Sequence, residues 1–387
     1  MKKSTKFASV VLAAAMVMSS LTACGGSSST NADATAFKIG GIGPITGGAA
    51  VYGQAVMNGM QIAVDEINAA GGINGYQIEY KFQDDEHDAE KSVNAYNALK
   101  DWGVQMVVGS TTSDPCIAVA AMSSQDNIFQ LTPSGSAVEC VAPDNVFRVC
   151  FSDPNQGKAS AQYIGQNAVA AKVAVIYDSS TTYSSGIYES FATEAANQPF
   201  EIVAAEAFTT DNATDFSVQL QKAKEAGAEL VFLPIYYEAA SAILTQADAM
   251  GFAPIFFGCD GLDGLLTVEG FDTKLAEGVM LLTPFAADAT DDLTVKFVTT
   301  YKEKFGEVPN QFAADAYDAV YAIKAAAEKA DITPSMSASD ICEALKAAMV
   351  EITIDGLTGE GMSWEASGEP NKAPKAVIIK DGAYSAL

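Results

Sequence analysis

The chain alternates short apolar segments of strand character with amphipathic segments of helical spacing, and this rhythm limits the folds open to it. Residues 37–42 form an apolar run that ends at Gly43-Pro44, and apolar side chains then recur on one helical face over 53–70. Because a strand, a crossover helix and a second strand make a parallel pair, the pattern predicts an α/β fold with helices on both faces of mostly parallel sheets. The further predicted strands are 76–83, 104–109, 127–132, 172–177, 201–208, 229–235 and 254–258.

The length and one break in the rhythm predict two such units. The 387 residues exceed an ordinary domain of ~100–200 residues. The alternation pauses at Ser152-Asp153-Pro154 and then restarts. After Gly278 it changes to long helices and returns to a strand at 376–380. We therefore expect two doubly wound, Rossmann-like lobes, although periodicity does not assign the C-terminal third to either. The long helices are predicted at 291–305, 311–329 and 337–349.

The N-terminus has the layout of a targeting signal. Basic residues at positions 2, 3 and 6 precede an apolar run at 7–18 that is too short to span a bilayer comfortably. The following Leu21-Thr22-Ala23-Cys24 resembles a bacterial lipobox, which implies cleavage before Cys24 and acylation of that residue. We predict a lipoprotein signal peptide over 1–23 and a flexible Gly/Ser-rich tether over 24–36. The mature protein would be extracytoplasmic and held to the outer face of the cell membrane by lipid alone.

Charge and histidine content exclude several functions. Lys and Arg total 22 against 48 Asp and Glu, and the net charge of −26 repels nucleic-acid phosphates. His87 is the only histidine, so Ser–His or Cys–His nucleophilic chemistry and multi-histidine metal sites have almost no residues to use. We predict no metal site and no cofactor.

The cysteines leave two interpretations open. Five lie beyond Cys24, an odd number, and none forms a CxxC pair or a zinc pattern. An internal disulfide and buried free thiols are both compatible with an extracytoplasmic chain. The five are Cys116, Cys140, Cys150, Cys259 and Cys342.

Two further interpretations, nucleotide binding and catalysis by an acidic cluster, have little support in the sequence. The glycine-rich stretch 41–47 approaches a dinucleotide fingerprint, but one glycine is displaced and Pro44 lacks the N–H that a phosphate cradle needs. The densest acidic cluster, Asp84-Asp85-Glu86, could supply the acid and base of an extracellular enzyme. We interpret it instead as a solvated turn.

Two hydroxyl-bearing loops are predicted at one sheet edge. Ser113-Asp114-Pro115 follows a strand and opens a helix that Ser113 can cap. Thr132 to Ser136, with Gly135 among them, follows the next strand. Ligands of open α/β sheets bind beyond the carboxyl ends of strands, and free N–H groups at a helix start attract anions. These loops therefore predict a site for a carboxylate.

The second half of the chain places aromatic and acidic residues at equivalent positions. Tyr183, Tyr236, Tyr237 and Asp260 each follow a predicted strand. A zwitterion with an apolar side chain would suit both halves. Its carboxylate would bind the N–H donors at the helix start, its ammonium would pair with Asp260, and its side chain would lie against the tyrosine rings.

A run of motifs adds a family resemblance from Phe37 to the C-terminus. Segments such as GINGYQIEYKFQDDEHD, VVGSTTSDP, QLTPSGSAV, VFRVCFSDPNQG and DGLTGEGMSW together resemble the bacterial extracellular solute-binding proteins for branched-chain amino acids, here in a lipoprotein form. The resemblance implies the type I periplasmic binding protein fold, with two lobes joined by a three-strand hinge. It implies lobe 1 over 37–153 plus 284–365, and lobe 2 over 154–283 plus 366–387.

The resemblance also implies roles for individual residues. Ser113 would bind the carboxylate of the ligand. The Gly135 carbonyl and Asp260 would bind its ammonium group, and Ser136 would contact both charged groups. The family more often has Glu at the last position. His87 and Thr112 stand about where those relatives carry a disulfide. The aromatic residues around the ligand would be Tyr52, Tyr183 and Tyr236.

The expected function is ligand capture rather than catalysis. The chain would be a monomer that takes a hydrophobic, branched-chain type of amino acid between closing lobes and delivers it to the permease of an ABC importer. The same fold could bind an amide, an aromatic acid or a short peptide, or serve as a ligand sensor.

Overall fold

Five parallel strands form the first sheet, in the order β2-β1-β3-β4-β5. The computed structural model describes residues 34–387. The central strands are short and buried on both faces, as expected for a parallel sheet covered by helices. The strands are β1 (Ala36–Gly43), β2 (Gln77–Asp84), β3 (Met106–Val108), β4 (Phe129–Thr132) and β5 (Val146–Arg148).

Seven strands form the second sheet, in the order β12-β11-β10-β9-β8-β6-β7. Five of them are parallel, while β11 pairs antiparallel with β10 and with β12. The strands are β6 (Lys172–Asp178), β7 (Glu201–Phe208), β8 (Leu230–Leu233), β9 (Ile255–Gly258), β10 (Met280–Thr283), β11 (Lys375–Lys380) and β12 (Ala383–Ala386).

Helices from both ends of the chain cover the first sheet. The long C-terminal helices lie here: α9 packs along α1, α8 contacts α1, and α10 contacts β4. Gly59 of α1 allows the closest approach, because a Cβ there would lie 2.1 Å from the carbonyl oxygen of Ala313 in α9. The helices are α1 (Ala50–Ala69), α2 (Ala89–Trp102), α3 (Ser113–Asp126), α8 (Asp292–Phe305), α9 (Gln311–Lys329) and α10 (Ala338–Met349).

The second sheet carries the remaining four described helices. α4 packs against α5, where Gly157 lies against the backbone of Ile187. α6 and α7 contact each other and lie between the strands in sequence. These helices are α4 (Asp153–Gln166), α5 (Thr182–Ala195), α6 (Ser217–Glu225) and α7 (Tyr237–Ala249).

The chain passes between the two sheets three times: between β5 and α4, between β10 and α8, and between α10 and β11. Two of these crossings are tied together by buried groups. The Lys372 ammonium donates to the carbonyl of Val149 at 3.0 Å and pairs with Asp315 at 2.7 Å. The Trp364 indole donates to the carbonyl of Arg148 at 2.7 Å.

The predicted α/β class and the two sheets of mostly parallel strands are confirmed. The sequence missed β5, β10, β12 and α4. Where it indicated only a break at Ser152-Asp153-Pro154, helix α4 begins, and Pro154 lies in its first turn where no intrahelical N–H is needed.

The five cysteines of the described range are buried and free. Of the two interpretations left open, the structure therefore shows free thiols. Cys24 and the predicted signal peptide lie outside the described residues. Within residues 34–387, no helix is both long and apolar enough to cross a membrane.

Candidate functional site

One cavity lies between the two sheets, at the carboxyl ends of their strands. It holds about 210 Å³ of empty space and is lined from both sides. This is the location expected for a ligand site in open α/β sheets. The lining residues are Tyr52, Thr111, Thr112, Ser134, Tyr183, Tyr236, Asp260, Gly261 and Phe312.

The two predicted hydroxyl loops meet behind this cavity on the side of the first sheet. The Ser113 hydroxyl accepts hydrogen bonds from the backbone N–H groups of Ser136 and Ala137, at 3.3 and 3.2 Å. The Ser134 hydroxyl donates to the carbonyl of Thr111 at 2.6 Å. Each loop therefore fixes the other, and both come directly after strands that are neighbours in the sheet.

The start of α3 is open towards these loops. Thr112 is the N-cap residue and makes no side-chain capping bond, so the expectation that Ser113 caps the helix is wrong. Ser113 is instead the first helical residue, and its oxygen serves the neighbouring loop. The positive end of the helix dipole is left available for an anion in the cavity.

Arg148, which the sequence did not single out, hydrogen-bonds to the backbone of the hydroxyl loop that follows β4. Its guanidinium is fully buried and donates to the carbonyl of Gly135 at 3.1 Å, to that of Ser136, and to that of Ala137 at 2.9 Å. The guanidinium also forms an ion pair with the carboxylate of Glu369 at 3.2 Å. The Gly135 carbonyl, expected to receive a ligand ammonium, thus already accepts one hydrogen bond from the protein.

On the side of the second sheet, Asp260 starts a short 3-10 turn directly after β9. The Tyr183 hydroxyl donates to its Oδ1 at 2.7 Å, and its backbone N–H donates to Oε1 of Gln156 at 3.1 Å. Burial raises the pKa of Asp260 to about 6, although the hydrogen bond from Tyr183 opposes the shift. A charged partner would favour the ionised form.

Aromatic rings from both sheets close the cavity. Tyr52 of α1 reaches across, donating to the carbonyl of Gly261 at 2.5 Å and accepting from the backbone N–H of Tyr237 at 3.3 Å. Its ring lies 4.2 Å from that of Phe312, and Tyr236 stacks on Tyr183 at 4.7 Å. Burial raises the pKa of Tyr52, Tyr183 and Tyr236 well above the usual value, so these hydroxyls stay neutral.

His87 lies at the edge of the same site. Its Nδ1 is 2.8 Å from the Thr112 hydroxyl, and its ring meets that of Tyr236 edge-on at 5.2 Å. It thereby contacts lining residues from both sheets. Burial lowers its pKa, against the opposing charges of Asp114, Asp88 and Asp178.

Of the acidic cluster expected to form a solvated turn, Glu86 is exposed and Asp84 half-buried, but the expectation is wrong for Asp85. Asp85 is fully buried, and burial raises its pKa to about 6. Asp84 accepts hydrogen bonds from the backbone of Ile45 at 2.9 Å and from the Thr46 hydroxyl at 2.6 Å. These carboxylates therefore organise the loops before α1 and α2.

The structure brings the predicted site residues to one place. Four of them line the cavity, and Ser113, Gly135 and Ser136 lie in the loops immediately behind it; their contact with a ligand stays a prediction. Ser134 was inside the second predicted loop, and Thr111 and Thr112 directly precede the first, but Phe312 had no local signal because it arrives from α9. The four lining residues are Tyr52, Tyr183, Tyr236 and Asp260.

Two α/β sheets that face a shared cavity, with three chain crossings between them, define a protein of the two-lobed binding class. The family model described as "Periplasmic binding protein" matches residues 36–383. The chain belongs to that family, which confirms the resemblance found in the sequence.

The relatives found by comparison agree with this assignment. The Leu/Ile/Val-binding protein homolog 3 of Brucella melitensis is 32% identical over 304 residues, covering 78% of this chain and 81% of that protein. The leucine-, isoleucine-, valine-, threonine- and alanine-binding protein of Pseudomonas aeruginosa is 28% identical over 353 residues, or 91% of each chain. The structure of the Streptococcus pneumoniae branched-chain amino acid transporter substrate-binding protein LivJ, in complex with isoleucine, has a TM-score of 0.82 at 30% identity, covering 91% of this chain and 98% of that one.

Proposed function

We propose that this protein captures a hydrophobic α-amino acid between its two sheets and delivers it to the permease of an ABC importer, without catalysing a reaction. The observation that carries the proposal is the placement of Asp260 opposite the open start of α3 across one ring-lined cavity. The relatives named for leucine, isoleucine and valine binding support the same ligand class.

Each end of such a ligand has a suitable partner. The carboxylate would face the α3 N-terminus and the hydroxyls of Ser113 and Ser136, whose O–H donors have no partner among the described residues. The ammonium would pair with Asp260, whose second carboxylate oxygen is left free by the bond from Tyr183. The apolar side chain would lie against the rings of Tyr52, Tyr236 and Phe312.

The structure suggests how capture would proceed. We propose that lobe 1 (37–153 plus 284–365) and lobe 2 (154–283 plus 366–387) close on the ligand about the three crossings. Direct contacts between the lobes support this motion: Tyr52 bonds to Gly261, and the Thr182 hydroxyl donates to Asp114 at 2.5 Å. Breaking these few bonds would open the cavity.

The proposed location rests on the N-terminal sequence and the family. Cleavage before Cys24 and acylation of this residue would anchor a monomer to the outer face of the membrane, with 24–36 as a tether. The permease would be its protein partner, and lipid its sole link to the bilayer.

A ligand without an amino group is the competing proposal for the same cavity. The ring-lined walls would suit an aromatic acid. However, Asp260 would then remain unpaired beside a carboxylate ligand, and an unpaired buried charge is costly. This comparison favours an amino acid.

The proposal predicts a selective response to apolar amino acids. A thermal-shift panel of all twenty amino acids, small amides, aromatic acids and sugars should show stabilisation by leucine, isoleucine or valine, about 2.7 kcal/mol at a hundred times the dissociation constant. Asp260→Asn should weaken binding of the responding amino acid by about 2–5 kcal/mol, as for truncation of a buried charge partner.

Glu238→Gln is a matched control, because Glu238 is an exposed carboxylate beside the cleft. It should leave affinity nearly unchanged. A flat response of the folded wild-type protein to every amino acid would refute the proposal, and so would an Asp260→Asn variant with wild-type affinity.

A further inference from the structure

Asp153, at the start of α4, is a buried acid whose carboxyl group takes no part in the hydrogen bonds that hold the fold together. Its side chain is 1% exposed, and neither carboxyl oxygen has a hydrogen-bond partner in the described part of the chain. Its backbone N–H donates to the carbonyl of Ser136 at 2.9 Å, which fixes the residue beside the second hydroxyl loop. Buried polar atoms are rarely left unpartnered, so this carboxyl group needs a specific explanation.

Further unpartnered groups lie on either side of Asp153. The Ser136 hydroxyl is buried and has no partner within residues 34–387. The amide nitrogen Nε2 of Gln156, one turn further along α4, is unpartnered too, while Oε1 of the same side chain accepts from the backbone of Asp260. These groups form a continuous row from the Ser136 loop through Asp153 and Gln156 to Asp260.

The row lies next to the cavity. Asp260, at one end of the row, lines the cavity, and so does Ser134 of the loop that carries Ser136 at the other end. Burial and the charge of Asp260 raise the pKa of Asp153 well above its ordinary range, while the Ser136 hydroxyl, which lies close to this carboxyl group, opposes the shift.

The row contains more acid than the protein neutralises. Neither Asp153 nor Asp260 is in an ion pair among the described residues. Arg148 is the nearby cation, but its terminal nitrogens are engaged by the carbonyls of 135–137 and by Glu369. A site with two buried carboxyl groups and an unpartnered hydroxyl is suited to a group that donates several hydrogen bonds and carries positive charge.

We infer that Asp153 is a second carboxylate of the ammonium site, so that a bound amino acid places its amino group between Asp153, Asp260 and the Ser136 hydroxyl. This inference rests on the proposed function. A primary ammonium group has three donors, and these three acceptors would satisfy all of them. The arrangement makes a primary amino group a requirement of the ligand and disfavours carboxylic acids that lack one.

The test compares leucine with its α-hydroxy analogue, 2-hydroxy-4-methylpentanoate, which differs only in having a hydroxyl in place of the ammonium. Affinities for both are measured by calorimetry on the wild-type protein and on Asp153→Asn. The variant should bind leucine at least about tenfold more weakly, as for the loss of a charge partner, and should bind the hydroxy acid within about threefold of wild type. Glu139→Gln removes an exposed charge from the neighbouring loop and should leave both affinities unchanged.

Asn keeps the shape of Asp153 and removes a buried acid, so the variant should fold; a thermal unfolding curve checks this. If it does not fold, Ser136→Ala removes another acceptor of the same site and should likewise weaken leucine more than the hydroxy acid. Wild-type affinity of Asp153→Asn for leucine, or equal losses for the two ligands, would overturn the inference while leaving the proposed function intact. A folded wild-type protein that binds no amino acid would overturn both.

Discussion

Arg148 shows how a single buried side chain sets the geometry of the candidate site. Its planar guanidinium donates to three successive carbonyls, at positions 135–137. A lysine ammonium cannot reproduce this fork. We therefore expect Arg148→Lys to lower the free energy of unfolding by about 3–5 kcal/mol, in the range seen when a buried charged network is broken, and to weaken ligand binding as well. Denaturant unfolding and calorimetry measure the two effects.

Glu369→Gln provides the matched comparison. It removes the negative charge of Glu369, whose side chain is 31% exposed and pairs with Arg148. The bonds from Arg148 to the three carbonyls stay in place. The expected loss is below about 1 kcal/mol, because partly exposed ion pairs contribute little. A loss as large as that of Arg148→Lys would show that the ion pair, rather than the fork to the loop, stabilises this region.

Among single residues, the sequence predicted those that come directly after a strand and missed those whose partners arrive from elsewhere in the chain. Tyr183 and Asp260 were selected because each lies just beyond a strand, and the structure joins them by a 2.7 Å hydrogen bond. Arg148 lies inside a strand of three residues, and its contacts depend on how the preceding loop folds. Asp85 was expected to be solvated, because nothing local shows that it is fully buried beside the end of β1, where its backbone N–H donates to the carbonyl of Gly43.

The packing of α1 on α9 positions two walls of the cavity. α1 carries Tyr52, and α9 begins with Gln311 and Phe312, of which Gln311 donates to the carbonyl of Asp260 at 3.0 Å. Gly59 allows the two helices to touch, since a Cβ there would lie 2.1 Å from the carbonyl oxygen of Ala313. We expect Gly59→Ala to destabilise the protein by about 1–3 kcal/mol, the usual cost of overpacking. Chemical denaturation gives the value.

The sign of this effect is informative. In an unpacked helix the same substitution would stabilise the protein by about 1 kcal/mol, because alanine is the better helix former. Gln61→Ala, two residues further along α1, removes only a hydrogen bond to the exposed Asp65 and should change stability by less than about 0.5 kcal/mol. A Gly59→Ala variant more stable than wild type would show that α1 and α9 are not in close contact in solution.

Among the elements, the clarity of the apolar pattern decided what could be predicted. Long helices with a clear apolar face, such as α9 and α10, were located to within a residue or two from their spacing. Strand β3, with three residues, was found within the apolar run 104–109, whereas β5, of equal length, ends in the charged Arg148 and β12 has no apolar run. The assignment of α8 to α10 to the first sheet depends on contacts with α1 and β4 that are distant in sequence, which no local pattern reveals.

The whole molecule buries several carboxyl groups without paired cations, in a chain of net charge −26. Lys372 is the buried lysine of the described range, and its partner is Asp315. Four other aspartates have pKa values that burial raises from near 4: Asp85, Asp260 and Asp318 to about 6, and Asp263 to about 7. Of these four, Asp260 lines the cavity, where the cationic group of the proposed ligand would balance its charge.

These shifts predict how stability depends on pH. A folded-state pKa above the unfolded value means that the folded protein binds more protons, so stability is greatest below about pH 4 for these groups and is lost as pH rises through 6 to 7. Each group contributes up to about 1.4 kcal/mol per pH unit inside its window. The ligand-free protein should therefore have a higher free energy of unfolding at pH 5 than at pH 8.

Asp263→Asn should flatten this dependence and stabilise the protein at pH 8, because the backbone N–H of Gln311 keeps an acceptor. Asp211→Asn removes the same unit of charge from an exposed position and should leave the slope unchanged. Equal slopes for wild type and Asp263→Asn between pH 5 and 8 would mean that relief of general charge repulsion, rather than burial of this carboxyl group, sets the dependence on pH.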